Sequence, residues 1–142
     1  MINHILASSA TGTVSFRFSR LALAMLALIV TGCGSDAPKL VEVTGKARHD
    51  NEPMTAGSIW FHPAPSNKVQ SEPSSCVLQL DGSFKMRTYP YGDGVPPGTY
   101  KVTFSPELAD RLGLPGYVDA ANTTLEIVVP DEGLSDITVE AK

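Results

Sequence analysis

Gly98-Thr99-Tyr100-Lys101-Val102-Thr103-Phe104 is the stretch on which the fold turns. Tyr100, Val102 and Phe104 alternate with Thr99, Lys101 and Thr103. Such alternation marks a strand with one buried face, because successive side chains point to opposite sides. Tyr100, Val102 and Phe104 are expected to face a core and Thr99, Lys101 and Thr103 to face out.

The same texture recurs on both sides. Brief runs rich in Val, Ile and aromatics are cut by Gly, Pro, Asp and Asn. They predict strands at 40–47, 57–62, 75–80, 83–88, 98–104, 125–129 and 135–140. Seven short strands in about 100 residues imply an all-β fold, a seven-stranded antiparallel β-sandwich over residues 40–142. Alternation turns Val41, Val43, Gly45, Ile59, Phe61, Leu125, Ile127, Val129, Ile137 and Val139 inward. It turns Ser58, Trp60 and His62 outward. One helix is predicted at 106–112, with Ser105 as N-cap and Pro106 at its first position.

The register of one hairpin follows from matching apolar faces. A two-residue Asp81-Gly82 loop would set Leu78 against Lys85 and mix the faces. A three-residue Leu80-Asp81-Gly82 loop sets Leu78 against Phe84 and Cys76 against Met86. It also places Gly82 where a type I turn followed by a bulge needs positive φ. Cys76 is then a small buried apolar residue.

The amino-terminal third is different in kind. Arg17 and Arg20 precede an apolar run from Leu21 to Val30, and Val30-Thr31-Gly32-Cys33 closes it. A run of about ten residues is too short to cross a bilayer as a helix. The order of basic flank, apolar run and small residues is that of a secretory signal, with a cysteine just past the small residues. It resembles the lipobox of bacterial lipoprotein precursors. That resemblance implies a cleaved signal peptide at residues 1–32, diacylglycerol and acyl modification of Cys33, and a lipidated tether at 33–39. Gly34 stands where an aspartate would signal inner-membrane retention in some bacteria, so the outer membrane is the expected site.

Two of the 11 basic residues, Arg17 and Arg20, fall in the segment to be removed, and none of the 15 acidic ones does. The remaining 110 residues therefore carry nine basic against 15 acidic groups, a formal charge of −6. An acidic domain without clustered Lys and Arg is not a nucleic-acid binder. With Cys33 lipidated, Cys76 has no disulfide partner.

Three segments carry a further resemblance. They are Val43-Thr44-Gly45-Lys46 with Glu52-Pro53-Met54 and Ala56-Gly57-Ser58-Ile59-Trp60-Phe61-His62-Pro63; Leu80-Asp81-Gly82-Ser83-Phe84; and Val95-Pro96-Pro97-Gly98-Thr99-Tyr100-Lys101-Val102. Together they resemble the transthyretin-like, carboxypeptidase-regulatory type of β-sandwich found in small bacterial lipoproteins. The chain has Asp50-Asn51-Glu52-Pro53 where D-G-x-P is usual. Asn51 can take the left-handed conformation that glycine supplies there.

No catalytic constellation is evident in the sequence. His49 sits beside Asp50 and Glu52 in a predicted turn, and His62 precedes Pro63 at a strand end. The transthyretin-like enzymes that hydrolyse 5-hydroxyisourate end in Tyr-Arg-Gly-Ser, whereas this chain ends Thr138-Val139-Glu140-Ala141-Lys142. No phosphate loop and no Cys/His zinc spacing is present, so neither metal nor cofactor is expected. The expectation is a non-enzymatic envelope protein, anchored through lipid on Cys33, that displays a binding or structural surface. A carbohydrate- or peptide-binding accessory domain is the alternative. Trp60 and His62 on an outward sheet face, and Tyr89 and Tyr91 on a loop stiffened by Pro90, are the candidate contacts for an envelope protein or glycan.

Mass spectrometry of the mature amino terminus is expected to find lipid on Cys33, and Cys33→Ala to release the protein into the soluble fraction. An unmodified Cys33 would remove the anchor from this account.

Overall fold

Burial alternates along almost every predicted strand, and two sheets form from those alternating faces. The computed structural model describes Ala37–Lys142, which make one compact unit. The expected signal peptide at 1–32, Cys33 and residues 34–36 of the expected tether lie outside the described residues. The smaller sheet holds β1 (Val43–His49), β2 (Glu52–Pro53), β5 (Ser83–Lys85) and β10 (Leu134–Ala141). The larger runs in the order β7 (Gly92–Asp93), β6 (Arg87–Thr88), β4 (Ser74–Val77), β3 (Ser58–Pro63), β8 (Gly98–Phe104) and β9 (Glu126–Val129). One helix, α1 (Pro106–Leu112), and a 3-10 turn at Pro115–Tyr117 join β8 to β9.

Val43, Ala47 and Phe84 from the smaller sheet share one hydrophobic core with Ile59, Phe61, Tyr100, Val102 and Phe104 from the larger. Tyr100 is fully buried, its ring centroid 6.0 Å from that of Phe61. Its hydroxyl donates to the Pro96 carbonyl at 2.6 Å, tying the loop before β8 to the core. Burial pushes the phenol up to about 12. Cys76, opposite Ile59, is buried in the same core, and burial pushes its thiol up to about 12 as well.

Among the described residues the expected seven antiparallel strands become ten, and one pairing is parallel. β1 and β10 run in the same direction, from Val43 opposite Leu134 to His49 opposite Ala141. The chain reaches this arrangement because β10 enters after a crossover from the other sheet instead of a tight hairpin. The predicted strand 83–88 also divides. Ser83–Lys85 pairs with β1, whereas Arg87 pairs with Ser75 in the other sheet. Met86 is the step between them: its N–H donates to Val43 and its carbonyl accepts from Gly94. The short β2 and β7 were not expected, since two-residue strands carry no period to read.

Turn chemistry follows the sequence closely. Gly82 N–H donates to Gln79, Gln79 N–H donates to Ser83, and Gly82 has φ 76°. That is the three-residue loop, and Ser75 opposite Arg87 continues its register. A Cβ at Gly82 would stand 2.7 Å from the Ala47 carbonyl oxygen, so glycine is required for contact as well as for conformation. Asp50 and Asn51 both adopt positive φ between paired His49 and Glu52, as a two-residue hairpin turn demands.

Helix α1 spans the predicted residues. Ser105 does not cap it through its side chain. Its hydroxyl instead accepts a weak 3.4 Å hydrogen bond from the Ser58 N–H, holding the helix start against β3. Gly113 ends the helix in the left-handed conformation. Thr103, expected on the exposed face, is buried. The outer face of the larger sheet is therefore partly covered.

Tyr100→Phe is expected to cost about 1–3 kcal/mol in urea unfolding, because the Pro96 carbonyl loses its buried donor. Tyr100 and Cys76 both fold in their protonated forms with raised pKa. Their contribution is complete below their ordinary values of 10.0 and 9.0 and is lost as pH rises towards about 12. Stability should accordingly fall between about pH 9 and 12, less steeply in Tyr100→Phe.

Candidate functional site: an aromatic outer sheet face

Trp60 lies at the centre of the larger sheet, with Ser75 opposite it on β4 and Thr103 opposite it on β8. Its ring points away from the core because Ile59 and Phe61 point into it. Two open grooves meet at this residue. One, of about 470 Å³, is lined by Ser58, Ser75, Arg87, Tyr89 and Pro90 together with Trp60. The other, of about 700 Å³, is lined by His62, Glu72, Pro73, Tyr89 and Val118 together with Trp60. Trp60 and Tyr89 thus belong to both.

Tyr89 reaches this face because β6 and β7 form a small hairpin, Thr88 opposite Gly92, with Tyr89-Pro90-Tyr91 at its tip. The base of the tip is anchored inside the protein. Thr88 Oγ1 donates to the Gly94 carbonyl at 2.7 Å and lies 2.8 Å from Ser74 Oγ. Outside, Arg87 Nε binds Asp93 Oδ1 at 2.8 Å and Lys85 Nζ reaches Asp93 Oδ2 at 3.1 Å. Tyr89 is 80 % exposed. Tyr91 is 47 % exposed and lines neither groove.

His62 borders the second groove, with Nε2 2.8 Å from Thr103 Oγ1. Burial holds its pKa below the ordinary value, and the carboxylate of Asp119 acts in the opposite direction. The long connection after α1 supplies both Asp119 and Val118. Tyr117 fixes that connection: its ring stacks on Phe104 with centroids 5.4 Å apart, and its hydroxyl donates to the Lys142 carbonyl at 2.9 Å.

The four candidate contacts are therefore unequal. Trp60, His62 and Tyr89 converge on one face; Tyr91 stands apart at the tip. Sequence reasoning missed Arg87, Glu72, Pro73 and Val118, which come from β6, the loop before β4 and the connection after α1, and share no local pattern. The one available signal was the outward position of Arg87 in the predicted strand 83–88.

This face can make apolar contacts and hydrogen bonds. Trp60, Tyr89, Pro73, Pro90 and Val118 supply apolar area, and Arg87, Glu72, His62 and the serines supply polar groups. Cys76 borders the first groove, but a thiol pushed up to about 12 is protonated at neutral pH and a weak nucleophile. His49 lies elsewhere, with Nδ1 3.1 Å from the Ala141 carbonyl oxygen and Nε2 3.6 Å from Asp50. Among the described residues no group of three or more His, Cys, Asp or Glu is placed to hold a metal ion. No helix among them is long and apolar enough to cross a membrane. No family model, curated protein or solved structure matches the chain.

In an NMR titration the His62 ring should change charge below 6.5. Asp119→Asn should lower the midpoint further, since it removes a carboxylate that favours the imidazolium. An unchanged or raised midpoint in Asp119→Asn would show that Asp119 does not act on the ring.

Proposed function

We propose that this chain is a lipid-anchored, non-catalytic β-sandwich protein of the cell envelope that presents the Trp60–Tyr89 face to a ligand. The observation that carries the reading is the sharing of Trp60 and Tyr89 by two open grooves on one sheet face. Aromatic side chains in shallow grooves gain binding energy by burying large, rigid surfaces against a partner. The polar groups around them, Arg87, Glu72 and His62, set orientation.

The transthyretin-like, carboxypeptidase-regulatory resemblance fits two shared-core sheets and the tyrosine bonded to Pro96 ahead of β8. The anchor rests on the Val30-Thr31-Gly32-Cys33 motif, and outer-membrane residence on Gly34. Lipid on Cys33 attaches the protein stably where more than one acyl chain is present. A second reading, an accessory carbohydrate- or peptide-binding domain serving a separate enzyme, is favoured by the same aromatic pair, since sugar rings and extended peptides both pack on Trp and Tyr.

Binding should be measured on glycan arrays and on peptide libraries with the full mature protein. Trp60→Ala and Tyr89→Ala are each expected to weaken binding at least about tenfold, the loss of a central aromatic anchor. Tyr91→Ala should leave groove binding unchanged. Binding that survives both groove substitutions would rule out this face as the site.

A further inference from the structure

The tether enters the domain at the same end as the tyrosine tip. Val41 and Val95 exchange backbone hydrogen bonds, each 2.9 Å, which seats the start of the domain beside the segment leaving β7. Lys39 Nζ donates to the Asp131 carbonyl at 3.2 Å and lies 3.8 Å from its carboxylate. Residues 39–41 are therefore held between the 94–95 segment and the turn before β10. The Tyr89-Pro90-Tyr91 tip leaves the sheet at this end, between paired Thr88 and Gly92. The Asp50-Asn51 and Asp81-Gly82 turns lie at the opposite end, beyond a β1 about 23 Å long.

We propose that the end carrying Lys39, Val95 and the tip faces the lipid bilayer, with Tyr91 resting in its headgroup region and Tyr89 at the border between lipid and groove. The inference rests on lipidation of Cys33. Three residues separate Cys33 from Ala37, so four Cα–Cα steps give a reach of about 14 Å at full extension. That is shorter than β1, so the tether holds the tip end close to the lipid surface. Two exposed tyrosines there offer rings with an apolar body and a polar hydroxyl, the chemistry that suits a membrane–water interface.

Charge does not supply the contact. Lys39 is matched by Asp131, and Lys85 and Arg87 by Asp93 and Glu42. Lys68, exposed on the loop that Asn67 ties to Thr99, and Glu132 add one charge of each sign, so this end carries no polybasic grip on anionic lipid. The contact should be insensitive to salt. The tip also borders both grooves through Tyr89, so a groove ligand would be met close to the membrane surface.

The test uses the mature chain purified from membranes in a Trp60→Phe background, carrying Tyr91→Trp or Leu80→Trp. Each is reconstituted into phosphatidylethanolamine–phosphatidylglycerol vesicles containing a lipid with a nitroxide near its headgroup. Intact mass first establishes the state of Cys33. Tryptophan at position 91 should lose about half its emission or more. Tryptophan at position 80, at the far end, where Leu80 is 89 % exposed, should keep its emission, and high salt should change neither. Acylated protein with no quenching at position 91, or with equal quenching at both positions, overturns the membrane-facing tip and leaves the anchor intact. An unmodified Cys33 overturns the anchor and this inference with it.

Discussion

The pairing of β1 on both of its edges is the constraint on which the remaining structure depends. One edge takes β10 in parallel; the other takes β5 and then β2. A strand so enclosed must satisfy its backbone entirely within the protein and keep one face apolar. Val43, Gly45 and Ala47 meet that need. Gly45 has no substitute, because a Cβ there would strike the Ile137 carbonyl on β10. The β1–β10 register shifts between Val43 and Gly45, where Asp136 on the partner strand takes positive φ. Closure of the smaller sheet is thus achieved with one irregularity and one missing side chain.

Enclosing β1 has a consequence for the other sheet. The chain segment after Gly82 serves β1 only as far as Lys85 and then crosses at Met86 to pair with β4. That crossing carries Arg87 and Thr88 to the edge of the larger sheet, from which the tyrosine tip projects. Core architecture and candidate site are therefore linked through the one segment 83–88, which forms β5 and then β6. The buried Thr88, bonded to Gly94 and Ser74, connects them. Its methyl-bearing side chain belongs to the interior, while the next residue, Tyr89, lies almost wholly in solvent.

Much of the fold was legible in the chain. Alternation in 98–104 and 57–62 assigns the inward faces correctly, because a two-sheet core demands that period. The Leu80-Asp81-Gly82 loop was readable because only one loop length keeps apolar faces matched. The helix at 106–112 was readable from Pro106, although Ser105, expected as its N-cap, makes no side-chain cap. The parallel β1–β10 pair was not, since strand direction depends on how distant segments meet. The division of 83–88 was equally hidden: Phe84 and Met86 are apolar and alternate whether the strand serves one sheet or two. Thr103 was misjudged for a related reason. Its face is outward by alternation, yet His62 and the segment after α1 cover it.

The candidate site divides in the same way. Trp60 and His62 could be placed outward from strand period alone. Tyr89 could be placed only in a stiff loop, and nothing local joined it to Trp60. By itself the sequence determined which side chains point inward, where the chain must turn and which cysteine meets the signal-like segment, because these depend on neighbours a few residues away. Only the tertiary structure decided that β10 returns beside β1, that Met86 switches sheets and that Trp60 and Tyr89 share one face. Those outcomes are set by burial and hydrogen bonding between segments far apart in the chain, which carry no mark of their partners.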